Sequence, residues 1–210
     1  NRALASSKIS IKNALILLLT LLIIGFLILI QLNFEAIILG IVITPLIALY
    51  PLAKRFFILP QFILALTYNW GCFIGWAALG SNIPFSSIFI LYLSLIFWTL
   101  AYDTIYATQD EKEDKKLNLY SSTLLFGSKK MIFLNLMIIT KYFLIIFYGS
   151  SLDFGFIFNI LVLTISLINI LDLNLIWKNK PENASSYFSR NNYYGISLLF
   201  SIIIGSHFNV

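Results

Sequence analysis

The sequence predicts an all-α integral membrane protein, a single domain over residues 1–210 with seven transmembrane helices. Composition is the first ground: 60% of the 210 residues are hydrophobic and 11% charged, whereas soluble domains sit near half apolar and a quarter charged. The second is a series of apolar runs of about 17 residues, the length that covers a hydrocarbon core. The third is an alternation of charge in the loops between them. The runs lack two-residue alternation and backbone amides cannot stay unpaired in lipid, so helices are expected rather than barrel strands.

The expected spans cover 13–30, 34–50, 61–79, 85–102, 131–148, 154–177 and 193–208. The first two are separated by a three-residue connection, 31–33, that holds no Lys or Arg. The third carries Asn69, which either faces a cavity or satisfies a neighbouring helix, and the lone Cys72, which rules out an intrachain disulfide. The fourth ends against Asp103. In the fifth Lys141 lies mid-span, and in the sixth Asp172 lies near the end; for both, snorkelling or a shared interior contact is expected rather than catalysis. The seventh ends at the single histidine, His207, which leaves no His-based metal or general-base site.

The chain carries 14 Lys+Arg against 9 Asp+Glu, a net charge of +5. The loops after the first, third and fifth spans hold no cation, while every Lys and Arg except Lys141 falls on the other side. The positive-inside rule makes that side cytoplasmic or its organelle equivalent, so the excess charge reports orientation rather than nucleic-acid binding. A bacterial inner membrane is expected, with a mitochondrial inner membrane as the alternative.

Chemistry concentrates where the fourth span leaves the membrane, Trp98-Thr-Leu-Ala-Tyr-Asp-Thr-Ile-Tyr-Ala-Thr-Gln-Asp-Glu-Lys-Glu-Asp114. A helix continued through this segment would put Asp103, Asp110 and Asp114 on one face with Tyr106 between them. Like charges at that spacing repel, which favours a cation among them, and hard oxygen ligands suit Mg²⁺ completed by water and phosphate oxygens. The alternative is a mixed-charge loop that solvates a helix end; Asp103 weighs against it, because an ionisable group at the end of an apolar span is costly. On the same side Tyr50-Pro-Leu-Ala-Lys-Arg55 supplies a hydroxyl and two cations, Lys54 and Arg55, which either bracket an anionic head group or only fix loop orientation.

These segments, with Leu59-Pro-Gln, Asn69-Trp-Gly, Gly75-Trp-Ala-Ala and Ser121-Ser-Thr-Leu-Leu-Phe-Gly127, resemble the UbiA superfamily of membrane prenyltransferases, closest to its 4-hydroxybenzoate polyprenyltransferase branch. Pro181, Phe188, Asn191 and Gly195 fit its pattern before the last helix, so the resemblance covers nearly the whole chain. It implies nine helices around a central cavity and two Asp-rich motifs that hold Mg²⁺ and a polyprenyl diphosphate. Asp110 and Asp114 match the paired aspartates of the second motif and thus the metal ligands; Asp103 matches an aspartate that precedes it. Tyr50 and Lys54 match residues near the diphosphate, and Arg55 matches an arginine for the aromatic carboxylate. Arg2-Ala-Leu-Ala-Ser-Ser7 looks like the run that follows the first motif, which would lie just ahead of Asn1 with about two helices. The chain is therefore expected to be the larger part of such an enzyme. Asn118 and Tyr120 stand where the family usually has Gly and Lys.

The reaction implied is transfer of the polyprenyl group to the ring carbon ortho to the hydroxyl of 4-hydroxybenzoate, in ubiquinone biosynthesis. Asp103, Asp110, Asp114 and Lys54 are the candidate catalytic residues, with Arg55, Tyr50, Tyr106, Arg2 and Asn69 as candidate substrate contacts. Trp98 and Tyr106 are candidates for shielding a carbocation, or else interface anchors. Competing readings are a different acceptor within the superfamily, a cation-binding transporter, and a non-catalytic membrane remnant.

Overall fold

A computed structural model describes residues 9–80, 82–178 and 180–207, and among these every regular element is helical. Helices α1 (Ile11–Leu29), α2 (Phe34–Leu49), α3 (Ala53–Phe56), α4 (Pro60–Asn69), α5 (Gly71–Ala78) and α6 (Phe85–Ala107) lead to a short α7 (Glu111–Lys116) and α8 (Ser122–Phe126). Then follow α9 (Lys130–Ser150), α10 (Phe156–Leu171), which runs on as a π-helix over Asp172–Trp177, and α11 (Ala184–His207).

Five segments are long and apolar enough to cross a membrane: Ile11–Leu29, Phe34–Phe56, Phe85–Ala107, Ser122–Ser150 and Phe156–Trp177. Two of the seven expected spans take a different form. The third divides at Trp70 into helices of 10 and 8 residues, each too short to cross alone. There the Phe73 N–H donates to the Trp70 carbonyl at 3.0 Å, tightening the turn, while the Trp70 indole N–H donates to the Leu39 carbonyl of α2, also at 3.0 Å. The seventh lies inside α11, whose 24 residues are long enough. Its first half, however, carries Ser185, Ser186, Ser189, Arg190, Asn191 and Asn192.

Helix α6 is the centre of the bundle and packs against α9, α4 and α11. Tyr92, Ile96, Leu100 and Ile105 of α6 are buried against Leu134, Ile138, Tyr142 and Ile145 of α9. In lipid, burial of apolar area gives helices little reason to associate, so close van der Waals fit and small residues do the work. Gly149 shows this directly: a Cβ there would meet the Phe158 ring at 2.1 Å. Gly205 lets α11 approach Phe154 in the same way, with 2.8 Å to a hypothetical Cβ. In contrast, α1 buries none of its residues.

The mid-span ionisable groups make interior contacts. Lys141, 1% exposed, sets its ammonium 4.5 Å from the ring centroid of Trp98 and 3.9 Å from that of Tyr142. Asp172 accepts from Arg190 at 2.8 Å and also from the Tyr194 hydroxyl, tying the end of α10 to α11.

Gly149→Ala is expected to cost about 1–3 kcal/mol by forcing Phe158 aside. Gly25→Ala, with nothing within 4 Å of the added methyl, is expected to be neutral or slightly stabilising. Thermal unfolding of both variants in detergent checks the pair, and equal melting temperatures would contradict the close approach.

Candidate active site

The C-terminal ends of α2 and α6 meet the loops that follow them, and four contacts hold the two chain segments together. Lys54 donates to both carboxylate oxygens of Asp114, at 3.0 and 2.9 Å, across 60 residues of sequence. The Tyr120 N–H donates to the Lys54 carbonyl at 2.9 Å. Gln61, buried at the start of α4, accepts from the Ser122 N–H at 3.0 Å, and the Thr104 hydroxyl of α6 donates to that of Ser122 at 2.7 Å. Together they fold 110–122 back over the end of the bundle.

The local sequence explains why that fold-back occurs. The helix expected to run through Asp114 stops at Ala107. Here the Thr108 hydroxyl donates to the Ile105 carbonyl at 2.6 Å, and the amides of Thr108, Gln109 and Asp110 bond three residues back instead of four. Helix α7 restarts with Glu111, Glu113 and Asp114 in its first turn and Lys115 and Lys116 in its last, the charge order that a helix dipole favours. It ends at Asn118, whose φ of +52° is a left-handed conformation open to Gly and Asn but costly for most residues. An Asn in place of a Gly therefore keeps the turn.

Between these segments lies a cavity of about 620 Å³ lined by Tyr50, Lys54, Gln61, Asp103, Asp110 and Asp114, with Glu113 beside them. The expected convergence of Asp103, Asp110 and Asp114 is thus present, produced by a turn rather than by one continuous helix face. Asp114 is buried and bears the Lys54 pair. Asp103 and Asp110 are half-buried. Among the described residues no three His, Cys, Asp or Glu groups are close enough to enclose a metal. Mg²⁺ needs only one or two carboxylates with water and phosphate oxygens, and two aspartates on a polar cavity provide donors of that kind.

Other expected residues fall elsewhere. Tyr106 is exposed and packs on Phe188 at 5.1 Å, outside the carboxylate cavity; after the turn at Thr108, Asp110 and Asp114 no longer continue the α6 face on which it sits. Arg55 is exposed in the last turn of α3 and does not line the cavity. Arg2 lies outside the described residues. Asn69 does both things considered for it. Its amide donates to the Ala65 and Leu95 carbonyls and the Thr99 hydroxyl, and it lines a second cavity of about 630 Å³ with Tyr68, Trp98, Thr99, Tyr102 and Asn191. The two cavities share no lining residue, but Tyr102 of the second and Asp103 of the first are consecutive on α6. Gln61 and Glu113 were not expected in the site; both sit inside segments noted for their resemblance, Leu59-Pro-Gln and Glu113-Asp114.

The UbiA prenyltransferase family pattern matches residues 1–199. The chain belongs to this family. A 4-hydroxybenzoate octaprenyltransferase of Francisella tularensis subsp. novicida is 36% identical over 203 residues, covering 97% of this chain and 71% of the relative. A mitochondrial 4-hydroxybenzoate polyprenyltransferase of Drosophila melanogaster is 40% identical over 134 residues, 64% of this chain and 34% of the relative. A solved structure titled for digeranylgeranylglyceryl phosphate synthase in membranes superposes with a TM-score of 0.68 at 23% identity, over 98% of this chain and 74% of the other, a likeness of fold alone. The bundle described above is therefore a UbiA-type fold, and its carboxylate cavity lies within the matched region.

Removing one partner of a largely buried ion pair strands the other's charge. Lys54→Met is expected to destabilise the protein by about 2 kcal/mol, below the range for fully buried pairs because Lys54 is partly exposed, and Lys54→Met/Asp114→Asn by clearly less. A double-mutant cycle on unfolding free energies checks this; strictly additive losses would contradict the pairing.

Proposed function

We propose that this chain transfers a polyprenyl group from polyprenyl diphosphate to the ring carbon ortho to the hydroxyl of 4-hydroxybenzoate, in ubiquinone biosynthesis. The observation that carries this reading is the gathering of Lys54, Asp103, Asp110 and Asp114 around one cavity beside a second, more apolar cavity. The names of the relatives given above support the choice of acceptor.

In this reading Asp110 and Asp114 would hold Mg²⁺, whose charge would neutralise the diphosphate and make it a better leaving group. When the diphosphate enters, Lys54 turns from Asp114 to the departing oxygens and stabilises the charge that develops there. Tyr50, at the cavity wall, donates its hydroxyl to the same anion. The carbon–oxygen bond breaks to leave an allylic cation, and the ring carbon of the acceptor attacks it. Asp103, a carboxylate on α6 facing the cavity, takes the ring proton as the carbon–carbon bond is completed and aromaticity returns. Arg55, exposed next to Lys54 and outside the cavity lining, turns inward in this reading so that its forked guanidinium meets the acceptor carboxylate. The isoprenoid tail lies in the second cavity, toward lipid.

We also read α4 with α5, and α11, as crossing the bilayer, which restores seven spans. The cation-rich loops that hold the cavity then face the cytoplasm of a bacterial inner membrane.

The test is transfer of an octaprenyl group to labelled 4-hydroxybenzoate in membranes, with and without Mg²⁺. Asp110→Ala is expected to lower the rate by about 100-fold or more, as loss of a transition-state electrostatic contact does. Metal-independent turnover, or full activity of Asp110→Ala, would overturn the proposal.

A further inference from the structure

The indole of Trp98 is fixed from three directions. Its N–H donates to the Asn191 side-chain oxygen of α11 at 2.9 Å. Its far edge lies against Gly195, where a Cβ would come within 3.2 Å of the ring. Over the ring, from α9, stands the Lys141 ammonium at 4.5 Å, buried and without a carboxylate partner among the described residues. The ring lines the 630 Å³ cavity together with Asn69 and Tyr102.

Held on these three sides, the indole is a fixed part of the cavity wall and is well suited to define its shape. Its depth fits that role. Trp98 precedes Asp103 by five residues on α6, about 7.5 Å along a helix axis, so a chain anchored at the carboxylates meets the indole a short way along its tail. Beyond it, Ile196 and Leu199 line the same cavity and are exposed among the described residues.

We propose that Trp98 is the residue that sets how much of the isoprenoid tail the cavity reads, with Lys141, Asn191 and Gly195 as the residues that position it. This rests on the assignment of a prenyl diphosphate to the carboxylate cavity. Tail units on the diphosphate side of Trp98 are packed by protein; units beyond it lie in lipid and add little affinity. A missing methylene in a fitted apolar pocket changes recognition by about tenfold or more, so affinity rises steeply with tail length as far as Trp98 and then levels off.

The experiment measures binding of unreactive dimethylallyl, geranyl, farnesyl, geranylgeranyl and octaprenyl thiolodiphosphates to the full chain in lipid nanodiscs, for wild type, Trp98→Phe, Trp98→Ala, Gly195→Ala and Lys141→Met. Wild type and Trp98→Phe are expected to share one plateau. Trp98→Ala moves the plateau to longer tails, and Gly195→Ala, whose added methyl lines the cavity and presses on the ring edge, narrows the passage and moves it to shorter ones. Lys141→Met frees the indole and broadens the break in the series. A plateau that stays in place in both Trp98→Ala and Gly195→Ala, whatever happens to overall affinity, overturns the proposal, with circular dichroism and the Trp98→Phe control showing that the fold is kept. Normal length-dependent binding without any transfer to 4-hydroxybenzoate would overturn the proposed reaction and leave the tail wall standing. Binding of no thiolodiphosphate at all would overturn both.

Discussion

The site depends on one ion pair. Lys54 and Asp114 stand 60 residues apart and come from different connections, yet both carboxylate oxygens lie within 3.0 Å of the ammonium. An acidic loop at a membrane surface would otherwise extend into water, where its charges are well solvated. Pinned to Lys54, and backed by the Tyr120, Gln61 and Thr104 contacts, the loop instead forms one wall of a cavity whose other walls are the ends of α2, α4 and α6. The pair also stores the cavity's charge in balanced form. An arriving anion can take over the lysine, and an arriving cation the aspartate, so each ligand makes room for the other.

The bundle beneath this cavity is organised to leave α6 little freedom. Its buried residues interlock with α9, and Asn69 bonds to the Leu95 carbonyl and the Thr99 hydroxyl from α4. Trp98 and Asp103 therefore occupy fixed depths on one rod, one at each cavity. Glycines at 149 and 205 perform the same service for α10 and α11, replacing side-chain bulk with close approach. Lys141, for which snorkelling or a shared interior contact was expected, lies over aromatic faces in the middle of the bundle.

Much of this was legible in the sequence because lipid imposes simple rules. Apolar run length marked the five long segments, and the positions of the loops between them put Lys54, Asp110 and Asp114 at one end of the bundle. What escaped were features decided by single side chains competing with the backbone. Nothing in the run 61–79 marks the break at Trp70, since it depends on the indole reaching Leu39 of another helix. The turn after Ala107 depends on the Thr108 hydroxyl, and Thr occurs in transmembrane helices too often to be read as a stop. That turn carried Asp110 and Asp114 off the α6 face that holds Tyr106 and brought them to the cavity by way of α7. Gln61 was passed over because an amide beside a proline reads as a helix start; its partner, Ser122, is distant in sequence.

The central claim is that the Lys54–Asp114 cavity takes a metal-bound diphosphate. Its most direct test is a structure of the protein with a prenyl thiolodiphosphate and Mn²⁺ in place of Mg²⁺, with the manganese located by its anomalous scattering. A manganese peak between Asp110 and Asp114, with Lys54 turned from Asp114 to the diphosphate, is the result expected. A diphosphate bound away from these residues, with the Lys54–Asp114 pair intact and no manganese beside it, would contradict the account.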